Sequence, residues 1–182
     1  MTATKRRIKI LSLGGSNTGK SSLIKRYCER RFDKRNNSTI GLDYGSIEVN
    51  VGVGGKADDP SKAEPVYVDF WDVSGKEDYE IVRHECYRPV PCAILLVFDV
   101  LKKQSFDSLR EWMKELKSFL HKTNVPVVLC GNKIDGIPRA VSKRDGVIFK
   151  EKHKLQSYFE TSALEGSKVD EMFQSLFEFA LQ

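Results

Sequence analysis

The chain reads Gly14-Gly15-Ser16-Asn17-Thr18-Gly19-Lys20-Ser21 between an apolar run and an amphipathic stretch. The apolar run, residues 8–13, predicts a buried strand, and residues 19–31 predict a helix because their apolar side chains recur at helical spacing. The loop has the spacing GxxxxGK[ST], whose glycines let successive backbone N–H groups point inward at phosphate oxygens. The helix that follows adds the positive end of its dipole. This context favours a phosphate-binding loop over a plain glycine turn.

The residue types in this loop predict separate tasks. The ammonium of Lys20 is placed to bridge the terminal phosphates, and the hydroxyl of Ser21 is placed to ligate Mg²⁺. The predicted phosphate contacts are Gly15, Ser16, Asn17, Thr18, Gly19, Lys20, Ser21 and Ser22.

Apolar runs and amphipathic stretches alternate along the rest of the chain. Residues 93–100 and 125–131 are continuously apolar and predict strands buried on both faces, as in parallel sheets. Residues 105–120, 143–156 and 168–181 predict further helices. Residues 43–53 alternate between apolar and polar side chains and predict an antiparallel edge strand, with residues 66–71 as its hairpin partner. Between them, residues 54–65 predict a polar hairpin insertion, either an ordinary exposed loop or a binding surface.

These patterns predict an α/β fold of the P-loop NTPase type. We expect a three-layer sandwich with a six-stranded, mostly parallel sheet, one antiparallel edge strand and five helices. A length of 182 residues suits one domain over residues 1–182, preceded by a basic tail at residues 1–7.

Composition excludes several classes of protein. The 30 basic and 25 acidic residues are scattered, which gives no reason to expect a nucleic-acid partner. The four cysteines form no CxxC pair, so neither a zinc site nor a disulfide scaffold is indicated. Position 2 is not glycine and the last cysteine is Cys130, so we expect no lipid anchor in this sequence. A reducing, cytoplasmic or nuclear location is the expectation.

Two further motifs follow predicted strands. Asp72-Val73-Ser74-Gly75 would place a carboxylate where it holds a water on Mg²⁺. Asn132-Lys133-Ile134-Asp135 ends the third apolar run. The carboxylate of Asp135 can accept hydrogen bonds from N1 and the exocyclic N2 of guanine, whereas adenine lacks this pair of donors. The motifs therefore predict a guanine nucleotide, and they disfavour a P-loop kinase, which needs a lid rich in arginine rather than this tetrad.

In this order the motifs resemble the Ras superfamily of small GTPases, from about residue 8 to the C-terminus. The resemblance implies that Thr39 reaches Mg²⁺ and the γ-phosphate, and that Phe32 packs on the guanine edge, although Phe32 could also be plain core. It implies base contacts from Ser162 and Ala163, beside Leu164 where relatives often carry lysine. The implied ligands are GTP or GDP with Mg²⁺, and the implied metal contacts are Ser21, Thr39 and Asp72. The remaining implied nucleotide contacts are Gly75, Asn132, Lys133 and Asp135.

Within the superfamily, residues 24–32, 39–45 and 160–173 are most similar to the RJL group of Rab-like proteins. This group typically joins a GTPase domain to a C-terminal J domain and lacks lipid anchors. The sequence contains no His-Pro-Asp triplet of the kind J domains carry. The resemblance implies an exchange factor, and an Hsp70-type chaperone only where a J domain follows. We expect an effector to bind residues 40–44, Trp71 and 79–87, because there the two segments near the γ-phosphate meet exposed aromatic side chains.

One departure bears on catalysis. Small GTPases usually place glutamine directly after the glycine of DxxG, but this chain has Lys76. An ammonium has no acceptor, so it cannot take a hydrogen bond from the attacking water while donating to phosphate. With Lys20, Thr39, Gly75 and Lys76 as the expected catalytic set, the hypothesis is a GTP-binding switch that hydrolyses slowly and stays mostly triphosphate-bound. The alternatives are a hydrolysis-deficient adaptor, or an enzyme in which another residue positions the water.

Two smaller departures accompany Lys76. Ser16 stands where efficient hydrolysers often carry glycine, and its side chain would crowd an incoming arginine. Ser74 stands where alanine is usual, and the sequence does not indicate its effect.

Overall fold

A computed structural model describes residues 6–34, 38–52 and 63–182 of the chain. Within these residues, six strands form one sheet in the order β2-β3-β1-β4-β5-β6. The strands are β1 (Arg6–Leu13), β2 (Leu42–Gly52), β3 (Ala63–Val73), β4 (Ala93–Asp99), β5 (Val127–Asn132) and β6 (Ser157–Thr161). Strand β2 pairs antiparallel with β3, and the other neighbouring strands pair parallel. The predicted sheet and its antiparallel edge are confirmed.

Some strand boundaries differ from the prediction. Strand β1 begins at Arg6, because Arg6 and Arg7 continue the ladder opposite Val66 and Tyr67 of β3. The predicted basic tail therefore overlaps the strand at residues 6 and 7, and the rest of it lies outside the described residues. Strand β3 begins at Ala63, so residues 63–65 of the predicted hairpin insertion are paired with β2. Residues 53–62 lie outside the described part of the chain.

The described helices are α1 (Lys20–Glu29), α2 (Glu80–Glu85), α3 (Lys103–Asp107), α4 (Leu109–Leu120), α5 (Lys143–His153) and α6 (Val169–Leu181). Only Ser108 separates α3 from α4, so as one helical stretch they correspond to the helix predicted at residues 105–120, and the described residues contain the five expected helices. Helices α1 and α5 end earlier than predicted, because Arg30 and Lys154 have the left-handed φ angles of 57° and 55°.

Apolar side chains cover both faces of the sheet. One face packs under α1 and α6, with Leu23, Phe173 and Phe177 fully buried. The other face packs under α4 and α5, with Trp112 and Phe149 buried. No helix among the described residues is both long and apolar enough to cross a membrane. With both faces covered, a ligand is expected in the crevice at the carboxyl ends of the parallel strands, where the loops after β1, β3, β5 and β6 meet.

Candidate nucleotide-binding site

The loop between β1 and α1 is built around glycines that no other residue could replace. Gly14 has a φ of 133°, and a Cβ there would lie 2.1 Å from the backbone oxygen of Val97. Gly19 has a φ of 95°, and a Cβ there would lie 2.2 Å from Nδ2 of Asn132. A side chain at either position would therefore strain the backbone, because φ is positive, and would also clash with the neighbouring atoms. Residues of β4 and β5 therefore restrict the turn that the sequence predicts.

Lys20, the first residue of α1, carries its ammonium back over this loop. Its Nζ donates to the backbone oxygens of Gly14 and Gly15 at 2.9 and 3.1 Å. The side chain is buried, and burial lowers the pKa of Lys20 to about 8, an effect that the nearby Asp72 carboxylate opposes. A buried ammonium held by carbonyl oxygens is suited to an anion, which would compensate its charge better than these dipoles do.

Three oxygen-bearing side chains from separate elements meet beside Lys20. The Ser21 hydroxyl lies 2.9 Å from the Thr39 hydroxyl and donates to Oδ2 of Asp72. The Thr39 hydroxyl lies 3.5 Å from the same Oδ2. Two hydroxyls and one carboxylate are hard oxygen ligands of the kind that Mg²⁺ uses together with phosphate oxygens and water. The predicted metal contacts Ser21, Thr39 and Asp72 are thus brought together, and their chemistry fits this ion.

The loop after β3 packs directly against the phosphate-binding loop. A Cβ on Gly75 would lie 2.4 Å from the backbone oxygen of Gly14 and 2.6 Å from the backbone nitrogen of Ser16. The next residue, Lys76, is exposed, and its backbone N–H donates to the Ser74 hydroxyl at 3.4 Å. The Ser74 N–H donates to the Gly41 oxygen at 2.8 Å, which ties this loop to the segment that carries Thr39.

These groups border a pocket of about 640 Å³, including its open mouth. Its lining contains Ser16, Asn17, Gly19, Lys20, Ser21, Ser22, Thr39 and Gly75 from the predicted set, together with Lys25, Asp33, Ser38 and Ser74. Four residues of the predicted set belong to the same loops but do not line this pocket, namely Gly15, Thr18, Asp72 and Lys76. Thr18 is buried, and its hydroxyl donates to the Gly15 oxygen at 3.0 Å.

The Asn132 side chain connects the phosphate-binding loop to the loop after β6. Its Nδ2 donates to the Thr18 oxygen at 2.9 Å. Its Oδ1 accepts from the Thr161 hydroxyl and from the Ala163 N–H, each at 3.2 Å. Because Asn132 is buried and both polar atoms of its amide are hydrogen-bonded, it holds these two loops in place relative to each other.

Lys133 and Asp135 lie on the side of Asn17 that faces away from the first pocket's metal contacts, and both line a second pocket. The Lys133 ammonium donates to the Asn17 oxygen at 2.6 Å and lies 2.8 Å from Oδ2 of Asp99. Oδ1 of Asp135 accepts from the Ser162 hydroxyl at 2.5 Å. This leaves the second oxygen of the Asp135 carboxylate as an acceptor for a ligand.

This second pocket, of about 440 Å³ including its mouth, adjoins the first on this side. Its lining contains Asn17, Gly19, Ser22, Phe32, Asn132, Lys133, Asp135, Ala163 and Leu164. Ser162 is fully buried beneath it. Phe32 is half-buried, and it both lines the pocket and packs against the apolar cluster under α1, so its contact with a guanine base stays a prediction.

Sequence reasoning missed Arg26, on α1. Its Nε donates to the Ala163 oxygen at 2.8 Å, and its Nη2 donates to the Leu164 oxygen. The guanidinium therefore fixes the loop expected to contact the base. The sequence gives no local signal for this role, because the partners lie 137 and 138 residues away.

Sequence reasoning also missed the attachment of α2. Arg83 is buried and donates from Nε and Nη2 to the two carboxylate oxygens of Glu115 on α4, at 2.8 and 3.1 Å. Tyr87 donates its hydroxyl to Glu115 at 2.7 Å and stacks on Phe119. The prediction of Tyr87 as part of an exposed surface is wrong, because these contacts bury it. Ile40, Tyr44 and Ile81 remain exposed, at 79%, 53% and 80%.

Fold and site together define a P-loop protein with a second pocket beside its phosphate-binding loop. The sequence model of the Ras family matches residues 9–182, and the chain belongs to this family of small GTPases. It is 38% identical over 176 residues to "DnaJ homolog subfamily C member 27" of Gallus gallus and of Homo sapiens. It is 37% identical over 179 residues to "DnaJ homolog subfamily C member 27-B" of Xenopus laevis.

These alignments cover 94% of the chain and 60% of each relative, so the chain spans 60% of the length of the curated relatives it matches. The resemblance predicted from the motifs, to small GTPases of the RJL type, is confirmed. The chain is a Ras-family GTP-binding domain related to the GTPase domain of these relatives.

Proposed function

We propose that this domain is a GTP-dependent molecular switch with slow intrinsic hydrolysis, and that it spends most of its time bound to GTP. The observation that carries the proposal is the position of Lys76. It directly follows Gly75, whose backbone lies against Gly14 and Ser16 of the phosphate-binding loop. Lys76 therefore stands at the edge of the phosphate pocket, where relatives in this family usually present glutamine to the attacking water.

Each group of the site has a task in this proposal. Lys20 exchanges its carbonyl partners for phosphate oxygens, and the backbone N–H groups of residues 15–22 hold the polyphosphate. Ser21, Thr39 and, through a water, Asp72 would hold Mg²⁺, which when bound would neutralise phosphate charge and help orient the γ-phosphoryl group that is transferred to water. Asp135 reads the N1 and N2 donors of guanine, assisted by the backbone of Ala163.

Slow hydrolysis follows from the chemistry of Lys76. A glutamine amide can accept a hydrogen bond from water and donate another to the transferring phosphate, whereas an ammonium can only donate. Even with glutamine, a Ras-type domain turns over at about 3–5 × 10⁻⁴ s⁻¹ without an activating partner. Loss of the water-positioning group is expected to slow this about tenfold, which corresponds to about 1.4 kcal/mol of activation free energy.

The signalling surface is proposed where the two segments near the terminal phosphate meet. Ile40, Tyr44 and Ile81 are exposed there, and Tyr44 packs edge-on against Trp71 at a centroid distance of 6.0 Å. Apolar and aromatic side chains of this kind form the centre of protein interfaces. An effector protein would bind this surface in the GTP state, and an exchange factor would open the site.

A chaperone partner belongs to the proposal only where a J domain follows, and a cytoplasmic or nuclear location remains our expectation.

Single-turnover hydrolysis of GTP tests the proposal. We expect release of phosphate from the wild-type domain to be about tenfold slower than from Lys76→Gln. Lys76→Ala is the matched control, because it removes the ammonium without adding an amide, and it should remain as slow as wild type. Equal rates for wild type and Lys76→Gln would contradict the proposed role of Lys76. Bound GTP with no phosphate release from wild type or from Lys76→Gln would favour the hydrolysis-deficient adaptor instead.

A further inference from the structure

Ser12 is a buried polar residue near the C-terminal end of β1, between two leucines. Its neighbours Leu11 and Leu13 on β1 are buried in the core, and Ser12 itself is 1% exposed. The register between β1 and β3 places Ser12 directly opposite Asp72. Its hydroxyl donates to Oδ1 of Asp72 at 2.6 Å. The hydroxyl of this buried serine is thus bonded to the carboxylate of the candidate metal site.

The two oxygens of Asp72 have different partners. Oδ1 faces the interior of the sheet and accepts from Ser12, which among the described residues is the one side chain bonded to this oxygen. Oδ2 faces the loops, where the hydroxyls of Ser21 and Thr39 approach it. A carboxylate held at one oxygen cannot rotate freely about its last torsion, so its second oxygen stays directed at Ser21 and Thr39.

We propose that Ser12 is a positioning residue for the metal, acting through Asp72. The inference rests on the proposed binding of a magnesium–guanine nucleotide complex, and it adds a residue that the family motifs do not contain. Hydrogen bonds to metal-site carboxylates orient them and tune their basicity, and removing such a partner typically weakens metal binding by about 10- to 100-fold. Without Ser12, Oδ1 of the buried carboxylate loses its donor, and Asp72 is free to turn away from the ion.

A purely structural role for Ser12 makes a different prediction. A buried hydrogen bond between a hydroxyl and a carboxylate also stabilises the fold, so loss of Ser12 could lower stability alone. The readout that separates the two roles is the free Mg²⁺ concentration at which the domain retains its nucleotide. A structural role would not move this midpoint once the variant is folded.

The experiment measures the dissociation rate of a fluorescent GDP analogue from the loaded domain across a series of EDTA-buffered free Mg²⁺ concentrations. For Ser12→Ala we expect the midpoint of nucleotide retention to move to about 10- to 100-fold higher free Mg²⁺. Ser12→Cys is close in size and keeps a weaker donor, so its midpoint should lie between those of wild type and Ser12→Ala. Both rates should approach the wild-type value when Mg²⁺ is saturating.

Ser157→Ala is the matched control. Ser157 lies at the start of β6, and its buried hydroxyl makes no hydrogen bond among the described residues. Its removal should leave the Mg²⁺ midpoint unchanged. An unchanged midpoint in folded Ser12→Ala, with Mg²⁺-dependent retention in wild type, overturns the inference and leaves the proposed function intact. A wild-type domain that binds no nucleotide, or retains it independently of Mg²⁺, overturns the proposed function and the inference with it.

Discussion

The site has two halves that are held in different ways. The base half comprises residues 132–135 and 162–164, and the switch half comprises residues 39–41 and 75–85. In the base half, Asn132 joins Thr18 to Ala163, Lys133 joins Asn17 to Asp99, and Asp135 accepts from Ser162. These bonds connect protein groups to one another, so the base half keeps its geometry without a ligand.

In the switch half, Thr39 is held by side-chain oxygens that would instead bind Mg²⁺ when the nucleotide is present. Thr39 contacts Ser21 and Asp72, the same oxygens that suit Mg²⁺. Farther from the phosphates, α2 is attached to α4 by the ion pair of Arg83 and Glu115. The comparison indicates that exchanging GTP for GDP should alter the contacts of Thr39 and Gly75, while the base half and the α2 anchor should persist.

Substitution of Asp135 should produce the largest effect, because it removes the hydrogen-bond acceptor that recognises guanine. In Asp135→Asn an amide N–H₂ can face the two N–H donors of guanine, so we expect GTP affinity to fall by about 10³-fold or more. The amide oxygen can still accept from Ser162, so the loop should stay in place. Affinity for XTP should rise, because xanthine offers an oxygen where guanine has an amino group. Calorimetric titration with both nucleotides measures this, and unchanged GTP binding would show that Asp135 does not read the base.

Breaking the α2 anchor should give the next largest effect, and it should appear in stability. The Arg83 and Glu115 side chains are only 7% and 16% exposed, so Arg83→Ala leaves the Glu115 carboxylate buried without its guanidinium partner, although the Tyr87 hydroxyl still donates to it. We expect the free energy of unfolding to fall by about 3 kcal/mol. Denaturant unfolding of the nucleotide-free domain measures it. Lys114→Ala is the control, since its ion pair with Glu111 is exposed and should contribute less than about 0.5 kcal/mol.

A double variant checks the cause of this loss. Adding Glu115→Ala to Arg83→Ala removes the buried carboxylate that has lost its guanidinium partner, so part of the lost stability should return. A double variant that is less stable by the sum of the two single losses would show that packing, not the buried charge, accounts for the effect.

The contrast between the two halves also explains which features the sequence could predict. Strand β4 and the base tetrad were predictable because continuous apolar runs indicate parallel strands, and the site lies where those strands end. Asp135 and Lys20 belong to local motifs whose spacing carries their chemistry. The sequence did not locate helix α2, because a helix of six residues is too short to show a clear periodicity of apolar side chains. The pairing of Arg83 with Glu115 joins residues 32 apart, and only the packed fold brings them together.

Arg26 allows a milder test of how the base half is held. Removing its guanidinium in Arg26→Ala frees the backbone oxygens of Ala163 and Leu164, so the base loop should open more often. We expect GDP dissociation to accelerate about tenfold, the result of losing roughly 1.4 kcal/mol of stabilisation. Arg31→Ala is a charge-matched control, because the exposed Arg31 pairs with Glu29 away from the base loop. Acceleration by both variants alike would point to net charge rather than loop positioning.

Leu164 should matter least, although family resemblance draws attention to it. Its side chain lines the base pocket but is 44% exposed, and its backbone oxygen is the group that Arg26 holds. In Leu164→Lys the aliphatic part of the new side chain can cover the same surface while its ammonium reaches solvent. We therefore expect the GDP dissociation rate to change by less than about threefold, or roughly 0.7 kcal/mol. Stopped-flow release of a fluorescent GDP analogue measures it. If GDP dissociation slowed tenfold or more, the side chain at position 164, and not the backbone that Arg26 holds, would determine how tightly the base is bound.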